Sequence, residues 1–247
     1  MSPMIPAGTI LGADHMESAD LIWPFALAAG ASEHPKDGAC LMSVVSWLVY
    51  GDLSDQPACV SEVVAELARS VNDLLPDYRR QALKSYIPRL IDTNDGASTE
   101  RARLRFVHRY IIEKLFPLGL AAAGLEFLIP VVRRVAPNHL ARLKPFVDEI
   151  VGQALRDPQW PEEAMTVLQS RVERGLWVQD GTAAPETIGS VLESIALAMA
   201  LKPAMASQFY DGLVGMLDGV LHIGRSDVRS IDHAVAEERI QAFAEAA

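Results

Sequence analysis

The stretch CLMSVVSWLVYG at residues 40–51 decides the fold class. Leu41, Val44, Val45 and Leu48 recur at spacings of three and four, which puts them on one face of a helix, and Gly51 supplies the residue type at which such a helix stops. A half-buried strand would instead place its apolar residues at every second position. No run of that kind, bounded by turn dipeptides, occurs anywhere in the chain. The fold expected is therefore all-α, an irregular multi-helix domain of roughly eight to eleven helices by start and stop signals.

Working outward, Ser54 or Asp55 reads as an N-cap ahead of Pro57, and Cys59, Val63, Leu67, Val71 and Leu74 form an apolar stripe that ends at Pro76. Asp77 then suits the cap of a third helix carrying Tyr86 and Leu90 and bent at Pro88. After the polar loop 92–97, Ser98 is placed to cap a long helix to about Phe116, followed by segments near 118–136 and 140–155. Pro158 and Pro161 mark another start, with Glu162 and Glu163 at the positive end of the dipole. Pro185 restarts a helix through Leu201, Pro203 separates it from one reaching His222, and Ser226 or Asp227 opens the last. On the N-terminal side, residues 1–21 read as an irregular arm, with a short helix from Trp23 to Ala29. Residues 22–247 read as a single helical domain with a candidate seam at 175–184, and no fixed-period repeat suggests a solenoid.

With 247 residues, half of them hydrophobic and 22% charged, the chain can bury a full core. The two cysteines cannot make a disulfide framework, and no charged segment followed by an apolar one opens the chain, so a cytoplasmic setting is expected. The most apolar stretch, Leu115 to Val132, contains Glu126, Pro117 and Pro130 and reads as core, not as a membrane span. The formal charge is −10, but it is segregated. Residues 101–145 hold 9 Lys/Arg against 2 Asp/Glu, whereas residues 1–100 hold 6 against 14 and residues 146–247 hold 7 against 16.

The segment His34 to Met42 and the segment Ser54 to Cys59 resemble a group of uncharacterised bacterial and bacteriophage proteins with Asp-Gly-x-Cys-x-Met and Ser-Asp-x-Pro-x-Cys motifs. The likeness continues through Asn72-Asp73-Leu74-Leu75-Pro76 and, more weakly, from Ile87 to Gly124. Ser43 stands where that pattern has Glu, and Ser61 where many of its members have a second Cys. The resemblance implies a mobile-element origin and no particular activity.

Two groups of residues are chemically suggestive. His34, Asp37, Cys40, Asp52, Asp55 and Cys59 include every residue type a zinc site uses, yet the paired spacings of zinc motifs are missing, so His34, Asp37, Cys40, Asp55 and Cys59 are weak metal candidates and no metal is assigned. Both cysteines fall on apolar stripes, where a thiol behaves as a small hydrophobe. The second group is basic. Arg101, Arg105 and Arg109 repeat every four residues on one helix face, with Arg103, Lys114, Arg133, Arg134, Arg142 and Lys144 adding charge. Pairing of this stripe with acidic regions, within the chain or across an interface, is favoured over nucleic acid, because the net charge is negative and only Phe106 and Tyr110 lie close enough to stack on bases. His108 and His139 read as surface or satisfied core groups. Gly212, Gly215 and Gly219 sit inside a helix, which suits close helix packing and not a phosphate loop.

No nucleophile elbow, phosphate loop or dinucleotide fingerprint is present. The function expected is a non-enzymatic cytoplasmic helical module for binding or protein interaction, through Arg101, Arg105, Arg109, Arg133 and Arg134. It would use no cofactor, and its partner would be a protein or a second copy, with no nucleic acid and no membrane. The first alternative is a hydrolase-like or metal-dependent enzyme built on the 34–59 cluster; the second is nucleic-acid binding through 101–144.

Overall fold

The computed structural model describes residues 26–30, 38–135, 140–156, 186–224 and 233–246. Among them the chain is all-α, with no strand and one isolated bridge. Its longer helices are α1 (Leu41–Tyr50), α2 (Glu62–Leu74), α3 (Ala97–Tyr110), α4 (Phe116–Ala122), α5 (Lys144–Arg156), α6 (Glu186–Leu201), α7 (Ala206–Leu221) and α8 (His233–Ala246). The chain forms two compact units, one of Met1–Glu100 with Leu221–Ala247 and the other of Arg101–Val220. The arm at 1–21, the seam at 175–184, the starts at Pro158 and Pro161 and the cap at Ser226 or Asp227 lie outside the described residues.

In the first unit α1 is buried around most of its circumference, from Leu41 through Ser46 and again at Leu48, as an almost wholly apolar helix must be. Gly51 ends it in the left-handed region at φ 78°, and its N–H reaches the Trp47 carbonyl at 2.9 Å. Helix α2 is amphipathic, burying Val63, Val64, Leu67 and Val71 while Glu62 and Asp73 stay exposed. Its N-cap is Ser61, whose Oγ accepts from the Val64 N–H at 3.2 Å, and not Ser54 or Asp55. Ser54 instead closes a small turn by accepting from the Gln56 N–H at 3.1 Å. Cys59 accordingly lies in the turn before the helix.

The third helix expected after Pro76 is broken into Asp77–Arg80, a 3-10 stretch Gln81–Tyr86, and Ile87–Leu90. Arg80 accounts for part of the difference. Its buried guanidinium donates to the carbonyls of Asn72 and Leu75, each at 2.7 Å, which serves the orphan carbonyls at the end of α2. The expected helix at Trp23–Ala29 is not found in its described part. Leu27 forms a parallel bridge with Ala39, and Gln81 clamps the Leu27 backbone on both sides, accepting from its N–H at 3.0 Å and donating to its carbonyl at 2.9 Å. Side chains here replace the helical hydrogen bonds.

In the second unit α3 passes through a π turn, Ile111–Leu115, directly into α4. Pro117 explains the wide turn: it has no N–H to donate, and its ring would clash with the carbonyl four residues back in a regular α-helix. Helix α6 packs on α4 and α5, and Gly119 lets α4 approach, since a Cβ there would meet Ile195 side-chain atoms at 3.3 Å. On α7, Gly212, Gly215 and Gly219 face Leu115, Tyr110 and Phe106, giving these glycines the close-packing role expected of them. Among the described residues no helix is long and apolar enough to cross a membrane.

Candidate functional site

The described members of the 34–59 polar cluster, Cys40, Asp52, Asp55 and Cys59, are each engaged by separate local partners. Cys40 is the N-cap of α1: its Sγ accepts from the Ser43 N–H at 3.3 Å and lies 3.1 Å from the Ser43 hydroxyl, in a fully buried position. Asp52 accepts from the Ser46 hydroxyl, just past the end of the same helix. At Asp55 it is the backbone carbonyl that is engaged, by Arg69 at 2.6 Å, and Arg69 is paired with Glu66 at 2.7 Å. His34 and Asp37 lie outside the described residues.

Cys59 has a third environment. Its sulfur is hydrogen-bonded by the Tyr50 hydroxyl and by the backbone N–H of Asp92, which sits in the left-handed region at φ 58°. Asn94 holds the same turn, donating its N–H to the Cys59 carbonyl at 3.1 Å and its side-chain amide to the Ala58 carbonyl at 3.0 Å. Burial pushes the Cys59 thiol above its ordinary value of 9.0. Burial also pushes the Tyr50 phenol up from 10.0 to about 12, with the charge of a Cys59 thiolate acting in the same direction. A thiol held protonated is a poor nucleophile. Both cysteines are free thiols, and among the described residues no three His, Cys, Asp or Glu side chains come together in a way that can hold a metal ion.

The basic segment is partitioned by the helix. Arg101, Arg105 and Arg109 are exposed, as their four-residue spacing on α3 implies, while Arg103 turns the other way and is fully buried with His108. Arg103 therefore does not belong to the exposed stripe with which its sequence position grouped it. Arg133, Arg134, Arg142 and Lys144 are exposed as well. Among the described residues, only Lys144 of these is paired, with Asp148 one turn along α5 at 2.8 Å. Arg101, Arg105, Arg109, Arg133 and Arg134 make no side-chain hydrogen bond or ion pair among the described residues, so the within-chain form of the expected pairing is not found there.

One feature had no signal in the sequence. The apolar stretch from Leu115 is core through Ala122, but its far end is not: Phe127 is 72% exposed and Val131 49%. They stand four residues apart across the 3-10 turn Glu126–Leu128 and the helical turn Ile129–Val132, with exposed Pro130 beside them and Arg133 and Arg134 immediately after. Chemically, this unit offers guanidinium groups without partners among the described residues and a small apolar knob, a combination suited to docking. Comparison with known protein families, with curated proteins and with solved structures finds no match for the chain.

Proposed function

We propose that the chain is a non-enzymatic interaction module that engages an acidic protein surface through Arg101, Arg105, Arg109, Arg133 and Arg134. The observation that carries this reading is the state of Arg101, Arg105 and Arg109: three aligned, exposed guanidinium groups with no pairing partner among the described residues. Arg is the side chain suited to bidentate recognition of carboxylates, and a row of three at helical spacing matches an acidic strip about two turns long. The cytoplasmic setting and the mobile-element origin implied by the sequence resemblance belong to the same reading.

Protein is preferred to nucleic acid because the chain as a whole carries a charge of −10, which opposes approach to a polyanion, and because Phe106, the nearer of the two aromatic candidates for stacking, is packed against Gly219. The test is the elution position of the protein in a gentle, low-salt extract of its producing cells. Wild type is expected in a complex larger than the monomer, and Arg101→Glu/Arg105→Glu/Arg109→Glu at the monomer position with its helical circular dichroism intact. Identical elution of the two would refute the reading.

A further inference from the structure

We propose that the face of α1 around Trp47 is a helix-binding site that α8 occupies in cis, and that an amphipathic helix of a partner protein bearing the anchors of α8 displaces it. Those anchors are apolar side chains at positions i, i+4 and i+7 and an arginine at i+3. The site shares no residue with the arginine row of α3, so either reading can fail alone.

Helix α8 lies on the fold as a ligand lies in a groove. Among its described side chains the buried ones are Ala236, Ile240 and Phe243, the spacing by which an amphipathic helix enters an apolar groove. Their exposures of 5–8%, against 0% for Leu41, Val45 and Leu48 of α1, show that α8 is covered less completely than the helix beneath it. Its other face, with Glu237, Glu238, Gln241 and Glu245, is exposed. Arg239 completes the anchors. Its guanidinium donates to the Leu48 carbonyl and, at 3.4 Å, to that of Trp47, while the Trp47 indole donates to the Arg239 carbonyl and the Phe243 ring stands edge-on to the indole. Burial lowers the Arg239 guanidinium below its ordinary value of 12.5, so desolvation offsets part of what these hydrogen bonds contribute.

The receiving face does not depend on α8. Helix α8 packs chiefly on α1, whereas α1 also packs on α2 and on the turn Ile87–Leu90, which hold it in place when α8 leaves. The indole, the carbonyls and the apolar surface are then offered to any helix with the same anchors. Nor does α8 fill the face: beneath it Trp47 is only half-buried, and Tyr50, one turn on, is 41% exposed. A partner helix with a bulkier apolar stripe buries area that α8 leaves open, which is the differential affinity that displacement requires. Isolated helices shorter than about 12–15 residues are marginal in water, so the 14-residue α8 unfolds as it leaves and its amides report the opening.

The experiment pairs native-state hydrogen exchange of full-length protein with binding of a fluorescein-labelled peptide of residues 230–247, followed by anisotropy. The α8 amides should exchange through an opening smaller than global unfolding, with an open fraction of roughly 0.1–10%. Wild type should bind the peptide weakly, because the apparent affinity is reduced by that fraction. Full-length Ile240→Ser/Phe243→Ser, whose own α8 is loosened, should bind roughly 10- to 1,000-fold more tightly, the reciprocal of the open fraction, with Arg239→Met in between. A peptide carrying Phe243→Ser should not bind. Helix α8 amides that exchange only with global unfolding would overturn the proposal. So would equal affinities of wild type and the loosened variant, or no binding by a loosened variant that keeps the circular dichroism of the other helices. If that variant does not fold, wild type decides alone: excess peptide should strip protection from the α8 amides of isotope-labelled protein and from no other helix, and unaltered protection would overturn the proposal. Wild type that sediments as a dimer and binds peptide only as the dimer dissociates would overturn it in favour of exchange of α8 between copies.

Discussion

Trp47 and Arg239, 192 residues apart in the chain, hold each other by reciprocal hydrogen bonds. The indole Nε1 of Trp47 donates to the Arg239 carbonyl at 2.7 Å, while the Arg239 guanidinium donates to the carbonyls of Trp47 and Leu48. The Phe243 ring meets the Trp47 ring edge-on with centroids 5.6 Å apart. The guanidinium thus serves the Leu48 carbonyl at the end of α1 and adds a longer second donor to the Trp47 carbonyl, which already accepts from Gly51, and the same residues fasten α8 to that helix.

Replacing Arg239 by Met keeps much of the apolar stem and removes the donors, leaving the Leu48 carbonyl dependent on water. Unfolding free energy should fall by about 1–3 kcal/mol, the usual range for hydrogen bonds to a charged group. Chemical denaturation followed by circular dichroism measures it. An unchanged midpoint would show that α8 is not held by this contact.

Glu100 reaches back to the start of α2, accepting from the Ser61 hydroxyl at 2.5 Å and from the Val63 N–H at 2.8 Å. Two donors at one helix N-terminus therefore depend on a residue 37 to 39 positions away. Glu100→Ala should cost about 1–3 kcal/mol, more than loss of an ordinary single cap, and Glu100→Gln, which retains an acceptor, should cost less. Equal effects of the two substitutions would argue that bulk, not hydrogen bonding, is what Glu100 supplies.

This contact also shows where sequence pattern stops being informative. Helix α1, its end at Gly51, the end of α2 before Pro76 and the restart at Pro203 are local properties, set by the spacing of apolar side chains and by residues with special backbone behaviour. The choice of Ser61 over Ser54 or Asp55 as the α2 cap is not local. Ser61 has Glu100 as the acceptor of its hydroxyl and Thr93 as the acceptor of its N–H at 3.0 Å, and neither partner can be read from the residues around position 61. The same holds for the extended segment at Leu27, which is ordered by Gln81 and Asn72. At the candidate interface, the exposure of Arg101, Arg105 and Arg109 was legible from their spacing. The exposure of Phe127 was not, because its neighbours to the N-terminal side are core.

The Cys59–Tyr50 pair gives the protein an alkaline limit. Both groups have folded-state values raised above their ordinary ones of 9.0 and 10.0, so the folded state prefers their neutral forms. Their contribution is complete below about pH 9 and is lost as pH rises from the unfolded values through the folded ones, about 12 for Tyr50. Native protein should react slowly with thiol reagents at pH 8 and show less thiolate absorbance from Cys59 at pH 9 than the unfolded chain does, and stability should decline above that pH. Rapid labelling of both cysteines in the folded protein would contradict their burial.

At Gly219 two effects of opposite sign compete. Ala is favoured over Gly inside a helix by about 1 kcal/mol, but a Cβ there would lie 2.4 Å from Phe106 Cζ. The contact is too close to keep, so the ring must move, and Gly219→Ala should destabilise by roughly 1–3 kcal/mol as overpacking does. Phe106→Leu should make the glycine replaceable, so that adding Gly219→Ala to it has little cost or a small benefit. Stabilisation by Gly219→Ala alone would mean that α7 and α3 are less tightly packed than the structure shows.

The most direct measurement of the interaction function is photo-crosslinking from position 98. Ser98 is exposed in the first turn of α3, one turn before Arg101, so p-benzoylphenylalanine placed there samples whatever meets the arginine face. Irradiation of producing cells is expected to give a nuclease-resistant protein adduct that is lost in Arg101→Glu/Arg105→Glu/Arg109→Glu, a variant that should keep the wild-type denaturation midpoint because those arginines have no partners among the described residues. No adduct, an adduct undiminished by the charge reversal, or one removed by nuclease would contradict the account.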